Sequence, residues 1–218
     1  MTVKTKICGI KTHEALRAAL EAGADYFGLV FYPPSPRNVS EEAARELVAA
    51  AGTGAKSVAL LVDPSDEDVM RVNEAVAPDY IQLHGNETPD RVAEIKQLCG
   101  RKLIKAVHIA EPGDSEAAKS YADLADIILF DAKPAADAST QLPGGNGVPF
   151  DWRLLTGIKE RDAFMLSGGL SPDNVREAIG LTKAPMVDVS SGVERAPGEK
   201  DADLIRQFIE RAKSAAEG

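Results

Sequence analysis

Short apolar runs alternate with amphipathic stretches along this whole chain, and that alternation leaves few folds open. The strand-like runs are Lys4–Cys8, Tyr26–Phe31, Ser57–Val62, Tyr80–Leu83, Leu103–Val107, Ile127–Phe130, Phe164–Leu166 and Met186–Val189. Between and after them lie Thr12–Ala22, Ser40–Ala50, Ser65–Ala75, Thr88–Leu98, Ser115–Ala122, an ill-defined turn near Asp151–Leu155, Ser171–Ile179 and Asp201–Ala215. Most of these open with Ser, Thr or Asp, the residues whose side chains satisfy the first helical N–H groups. Eight β-α units with no break in composition predict an α/β protein, one closed (β/α)8 barrel domain over residues 1–218. An open doubly wound sheet is the alternative. Against it, the first strand runs into CGIKTHEA rather than a GxGxxG turn.

Charge and cysteine content narrow the function classes. A formal charge of −9 argues against a nucleic-acid partner, and any phosphate pocket must rely on local donors. No apolar run approaches a membrane span, and MTVKTKICGI reaches a strand without a signal-peptide apolar region. Cys8 and Cys99 are far apart and lack CxxC spacing, so neither zinc nor a disulfide framework is indicated. A reducing cytoplasm is the expected home. The oligomeric state stays open between monomer and homodimer.

Two late turns point to a phosphate. Phe164–Leu166 leads into Ser167-Gly168-Gly169, and Met186–Val189 leads into Ser190-Ser191-Gly192. Glycine lets backbone N–H groups approach a ligand, and Ser171-Pro172-Asp173-Asn174 reads as a capped helix start behind the first turn. Gly168, Gly169, Ser191 and Gly192 are therefore the expected phosphate-binding residues, after strands 7 and 8 of a barrel. Two longer loops, Tyr32–Val39 and Ala132–Pro149, follow strand ends on the same face and read as lids.

Polar residues at strand C-termini are the candidates for chemistry: Cys8, Asp63, His84, His108, Asp131 and Asp188, with Arg37 in the loop after strand 2. Period-2 alternation puts Lys6 on the face of Cys8, about 7 Å along the strand. An ammonium there is expected to lower the thiol pKa from about 8.5 and favour the thiolate. Asp131 stands behind four apolar residues, Ile127–Phe130, so desolvation disfavours its ionised form and suits it to proton donation. Arg37 offers a fork for a second anionic group, and His84 before Gly85 is placed to line the pocket. His13, His84 and His108 show no HxH or HExxH spacing, so no metal ligands are assigned.

Jointly and in order, these segments resemble the phosphoribosylanthranilate isomerase family almost end to end. They are Lys6-Ile7-Cys8-Gly9, Ser35-Pro36-Arg37, Gln82-Leu83-His84-Gly85, Leu129-Phe130-Asp131, Gly144-Gly145 with Gly147, Phe150-Asp151-Trp152, Leu166–Leu170 and Asp188–Glu194. The resemblance implies a cofactor-free Amadori rearrangement of a phosphorylated sugar–anthranilate substrate. By similarity, Asp131 is the general acid and Cys8 the general base. Arg37 holds the anthranilate carboxylate, Asp188 contacts the substrate near the reacting nitrogen, and the two glycine turns cradle the phosphate. One departure is Asn146, where the family often has a small hydroxyl residue. A metal-dependent sugar-phosphate epimerase and a non-catalytic phosphate-sensing barrel are the competing expectations.

Overall fold

The computed structural model describes residues 2–111, 113–132, 151–155 and 164–215. Eight parallel strands close into a barrel in chain order: β1 (Lys4–Cys8), β2 (Tyr26–Val30), β3 (Lys56–Leu61), β4 (Tyr80–Leu83), β5 (Lys102–Ile109), β6 (Ile127–Ala132), β7 (Phe164–Leu166) and β8 (Met186–Val189). The ring is sealed by β8 against β1, with Lys6 opposite Asp188. The closed (β/α)8 architecture is the one the alternation predicts.

Around the barrel run α1 (His13–Glu21), α2 (Glu41–Ala51), α3 (Asp66–Val76), α4 (Pro89–Cys99), α5 (Val175–Thr182) and α6 (Ala202–Ser214). Thr12, Ser40, Ser65, Thr88 and Asp201 cap five of these through side-chain oxygens. Each such cap contributes about 1 kcal/mol.

Two local expectations are corrected. Asp114–Tyr121, between β5 and β6, is 3₁₀ rather than α-helical; it starts after Gly113 at φ 104° with no side-chain cap. The turn read near Asp151–Leu155 is a short 3₁₀ segment, Trp152–Leu155, as expected. The helix read from Ser171 begins only at Val175. Here Asn174 turns its side chain back to the preceding loop, accepting from Ser171 N (2.8 Å) and donating to Gly169 O (2.9 Å), so Ser171–Asn174 is held as a turn. The structure also adds an antiparallel hairpin after β8, β9 (Glu194–Ala196) and β10 (Glu199–Lys200), that the apolar pattern does not announce.

The core explains where the site must lie. Tyr26, Val58, Ile104, Ala106, Ile127, Leu129, Met165 and Met186 fill the barrel interior as one cluster, and the opposite faces of the strands pack under the helices in a larger one. Because strand side chains alternate, the next inward positions toward the C-terminal ends carry the polar groups. Two residues beyond Ala106, Leu129 and Met186 come His108, Asp131 and Asp188. Cys8 shares the layer above the plug with Val30 and Leu60. Among the described residues no helix is long and apolar enough to cross a membrane.

Candidate active site

Cys8 sits buried at the end of β1, directly beside Gly28 in the β1–β2 register. A β-carbon on Gly28 would stand 2.9 Å from its Sγ, so the missing side chain makes the room for the sulfur. Lys6, one inward position below, has no exposure and pairs with Asp188 Oδ1 at 2.9 Å. Ser167 Oγ donates to the other oxygen of that carboxylate (3.3 Å). Burial alone would lower the Lys6 pKa, but the Asp188 carboxylate, and then Cys8, hold it above the ordinary amine value.

The thiol goes the other way from the expectation. Burial pushes Cys8 above the usual cysteine value; Lys6 pulls it down, Asp188 pushes it up and Lys200 pulls it down, and the balance stays raised. Lys6 does face Cys8 as the alternation requires. Its charge is largely answered by Asp188, so the sulfur feels full desolvation against a shared cation.

Across the mouth, Asp131 ends the inward row of β6 and is buried. Gln82 Nε2 donates to His84 Nδ1 (2.8 Å), which leaves the Nε2–H of the same ring to donate to Asp131 Oδ2 (3.0 Å). His108, next to Asp131 in the β5–β6 register, packs edge-on to His84 with ring centroids 5.6 Å apart. Burial, then the neighbouring His84, lowers the His108 pKa. The turn carrying His84 is braced from below: Lys105 Nζ binds Glu87 Oε2 (2.6 Å) and Gly85 O (2.8 Å), and Glu87 Oε1 accepts from Asp63 N and Gly85 N. Asp63 belongs to this brace, accepting from Asn86 N at 2.7 Å.

Arg37 is buried and lies against Gly9, where a β-carbon would come within 2.8 Å of its Cδ. Its Nε and Nη2 form a fork onto Glu194 (2.8 and 2.9 Å). Glu194 also receives Lys200 Nζ at 2.7 Å. Burial would raise the Glu194 pKa, but Arg37 and Lys200 bring it below the ordinary carboxylate value. Lys200 itself is lowered, burial outweighing Glu194. The Tyr32–Val39 loop is fastened rather than loose: Lys11 Nζ donates to Pro36 O (2.8 Å), and Gly198 at φ +80° seats the hairpin against the same carbonyl.

The two glycine turns lie against each other. Gly168 and Gly169 adopt φ of 87° and 67°. Gly192 abuts the Leu170 carbonyl so closely that no β-carbon would fit. Among the described residues, the backbone N–H groups of Gly168, Gly169, Ser191 and Gly192 form no hydrogen bond. Donors left open on two adjoining loops suit an anion, although the helix behind the first turn starts later than the sequence predicts.

The structure thus brings Cys8, Asp131, Arg37, His84, Asp188, Gly168, Gly169, Ser191 and Gly192 to one barrel mouth. It adds Gly28, Gln82, Glu194 and Lys200, none of which the sequence singles out as a site residue. Gln82 is within reach of the same alternation, two residues before His84. Residues 133–149 of the second expected lid, with Gly144, Gly145, Asn146 and Gly147 among them, and Phe150 after it, lie outside the described residues.

Residues 5–211 match the family model described as N-(5'phosphoribosyl)anthranilate (PRA) isomerase. The curated N-(5'-phosphoribosyl)anthranilate isomerase of Paracoccus denitrificans is 53% identical over 212 residues, 97% of this chain and 98% of that protein. The crystal structure of phosphoribosyl anthranilate isomerase from Thermotoga maritima superposes with a TM-score of 0.86 at 38% identity, covering 97% of this chain and 99% of the other. A further phosphoribosyl anthranilate isomerase structure, in complex with reduced 1-(o-carboxyphenylamino)-1-deoxyribulose 5-phosphate, gives a TM-score of 0.84 at 37% identity over 97% of this chain and 99% of its own.

Proposed function

The chain belongs to the N-(5'-phosphoribosyl)anthranilate isomerase family, and on that premise we propose which of its residues carry out the reaction. That reaction is the Amadori rearrangement of N-(5-phosphoribosyl)anthranilate to 1-(2-carboxyphenylamino)-1-deoxyribulose 5-phosphate, an isomerisation in tryptophan biosynthesis.

Ring opening needs a proton on the ribose ring oxygen, and Asp131 supplies it. The open form is a Schiff base, whose C2 proton is then acidic enough for the Cys8 thiolate to remove. The resulting enolamine tautomerises to the ketone. Lys6 stabilises the thiolate, and Asp188, fixed by Lys6 and Ser167, accepts from the substrate near the reacting nitrogen. With both ring nitrogens of His84 engaged by Gln82 and Asp131, its contribution runs through the orientation of Asp131.

The 5-phosphate sits on the N–H groups of Gly168, Gly169, Ser191 and Gly192. The anthranilate carboxylate approaches the Arg37 guanidinium, whose Nε–Nη2 edge Glu194 already holds in a fixed plane. The carrying observation is the order around the barrel: β7 and β8, whose loops present open N–H donors, stand between β6 with Asp131 and β1 with Cys8. A bound phosphate there holds the sugar across both groups. The reduced product analogue bound by a relative of 37% identity supports a ligand carrying both a phosphate and a carboxylate.

The test is a paired measurement of turnover and of affinity for that reduced analogue. Cys8→Ser and Asp131→Asn should each lower kcat by about 10²–10⁴-fold, the range for loss of a general acid or base, with affinity nearly unchanged. A variant that lost affinity and kept kcat would remove its residue from the chemistry.

A further inference from the structure

One side of the mouth holds more ligating chemistry than the isomerisation uses. His84, His108 and Asp131 come from the ends of adjacent strands, and one ligand atom of each lies within 4.8 Å of the others. The His84–Asp131 edge is already 3.0 Å. Around a tetrahedral zinc ion, nitrogen and oxygen ligands stand about 2.0–2.2 Å from the metal, so closing the group needs side-chain adjustment and no strand movement.

Two orphaned atoms single this group out. Among the described residues, His108 Nδ1 is buried without a hydrogen-bond partner, and so is Gln82 Oε1. The second belongs to the amide whose nitrogen meets His84 Nδ1 at 2.8 Å. Turning that amide over would present the oxygen to a protonated Nδ1 and free the Nε2 lone pair of His84 toward Asp131. A lone pair facing a carboxylate needs either a proton or a metal ion between them. Metal-bound histidines have this second contact as a rule: one nitrogen on the ion, the other N–H donated to a fixed acceptor.

We propose that His84, His108 and Asp131 form a latent site for a divalent transition ion, zinc foremost, with Gln82 Oε1 as the acceptor that orients His84. Two imidazoles and one carboxylate leave a fourth position open, and imidazole ligands favour zinc, copper or nickel over magnesium. A bound ion would occupy the carboxylate that the isomerisation needs as its proton donor, so loading should inhibit. That consequence rests on the reading of Asp131 above, whereas the site itself does not.

The test titrates zinc into the chelator-treated full chain in competition with a chromophoric chelator, with isomerase turnover followed in parallel. One equivalent should bind. His108→Phe and Gln82→Leu should each weaken binding, the latter by about 10–100-fold, as loss of an outer-shell partner does. Cobalt substitution guards against a folding artefact: the wild-type chain should show visible ligand-field bands without a sulfur charge-transfer band, and Cys8→Ala should keep them. Absence of zinc binding, binding indifferent to His108→Phe, or a cobalt spectrum with a thiolate band lost in Cys8→Ala would overturn the proposal. Zinc binding without inhibition would support the site and count against Asp131 as the proton donor.

Discussion

The sulfur of Cys8 occupies space that Gly28 leaves empty: a β-carbon on Gly28 would stand 2.9 Å from Sγ and 3.1 Å from the Cys8 Cα. The second distance matters more than the first. A thiol can rotate away from a methyl group, but a backbone atom cannot, so Gly28→Ala must shift the end of β1. Overpacking of this kind costs about 1–3 kcal/mol, and misplacing a reacting group by about 1 Å can cost about 10²-fold in rate. Gly28→Ala is therefore expected to fold with a lowered denaturation midpoint and to lose kcat by at least about tenfold. A variant of wild-type kcat would show that the sulfur position is not critical.

The raised thiol of Cys8 sets the direction of the pH profile. A base must be deprotonated to act, so kcat/KM should climb with pH and level off only above the ordinary cysteine range of about 8.5. Lys200 is one of the two cations that pull this thiol down. Removing it in Lys200→Met should move the rising limb to higher pH, slowing the enzyme at neutrality and recovering part of the loss in alkali. Alkylation rate against pH reads the same group without turnover. A limb unmoved in both measurements would mean Lys200 acts only through Glu194.

How far these features can be read from the sequence depends on whether they follow from one strand or from two. Cys8, Asp131 and Asp188 lie at the ends of inward rows that period-2 alternation marks out, so their placement is legible. Gly28 is not, because its meaning arises only when the β1–β2 register sets it beside Cys8. The same is true of His108 and Asp131, which are distant in sequence and adjacent in register. The sign of the Cys8 shift escapes the sequence for a different reason: alternation reveals that Lys6 is near, but not that Asp188 on β8 answers its charge at 2.9 Å. The hairpin after β8 carries no apolar run, and the fork that joins its Glu194 to Arg37 comes from another loop.

Glu194 is the shared counter-ion of Arg37 and Lys200, and all three side chains are nearly inaccessible, at 7%, 3% and 2% for Arg37, Glu194 and Lys200. Glu194→Gln leaves two buried cations with a neutral partner, a change that typically costs about 3–5 kcal/mol. Loss of the fork should also raise KM more than it lowers kcat, since Arg37 is assigned to binding. The pH dependence has a definite sign. The folded-state pKa of Glu194 is lowered, so its contribution is present above the unfolded carboxylate value of about 4.3. It is lost as pH falls through the folded value. Urea midpoints should therefore differ most between wild type and Glu194→Gln near neutrality and converge in acid; parallel curves would contradict the pairing.

Gly192 provides the most direct test of the phosphate cradle. Its α-carbon lies against the Leu170 carbonyl with no room for a side chain. That contact is backbone to backbone, so Gly192→Ala can be accommodated only by separating the loops after β7 and β8. Separation spreads the open N–H groups of Gly168 and Gly169 from those of Ser191 and Gly192, and a phosphate could then reach one pair but not both. Hydrogen bonds to a charged acceptor contribute about 1.5–3 kcal/mol each, so loss of even one pair should weaken binding by well over tenfold. Inorganic phosphate affinity, measured calorimetrically, isolates this from the chemistry because the ion never touches Cys8 or Asp131. The expected outcome is a large fall in phosphate affinity and a matching rise in KM, with the barrel still folded by circular dichroism. Unchanged phosphate binding in a folded Gly192→Ala protein would place the anion elsewhere and break the alignment of sugar, acid and base.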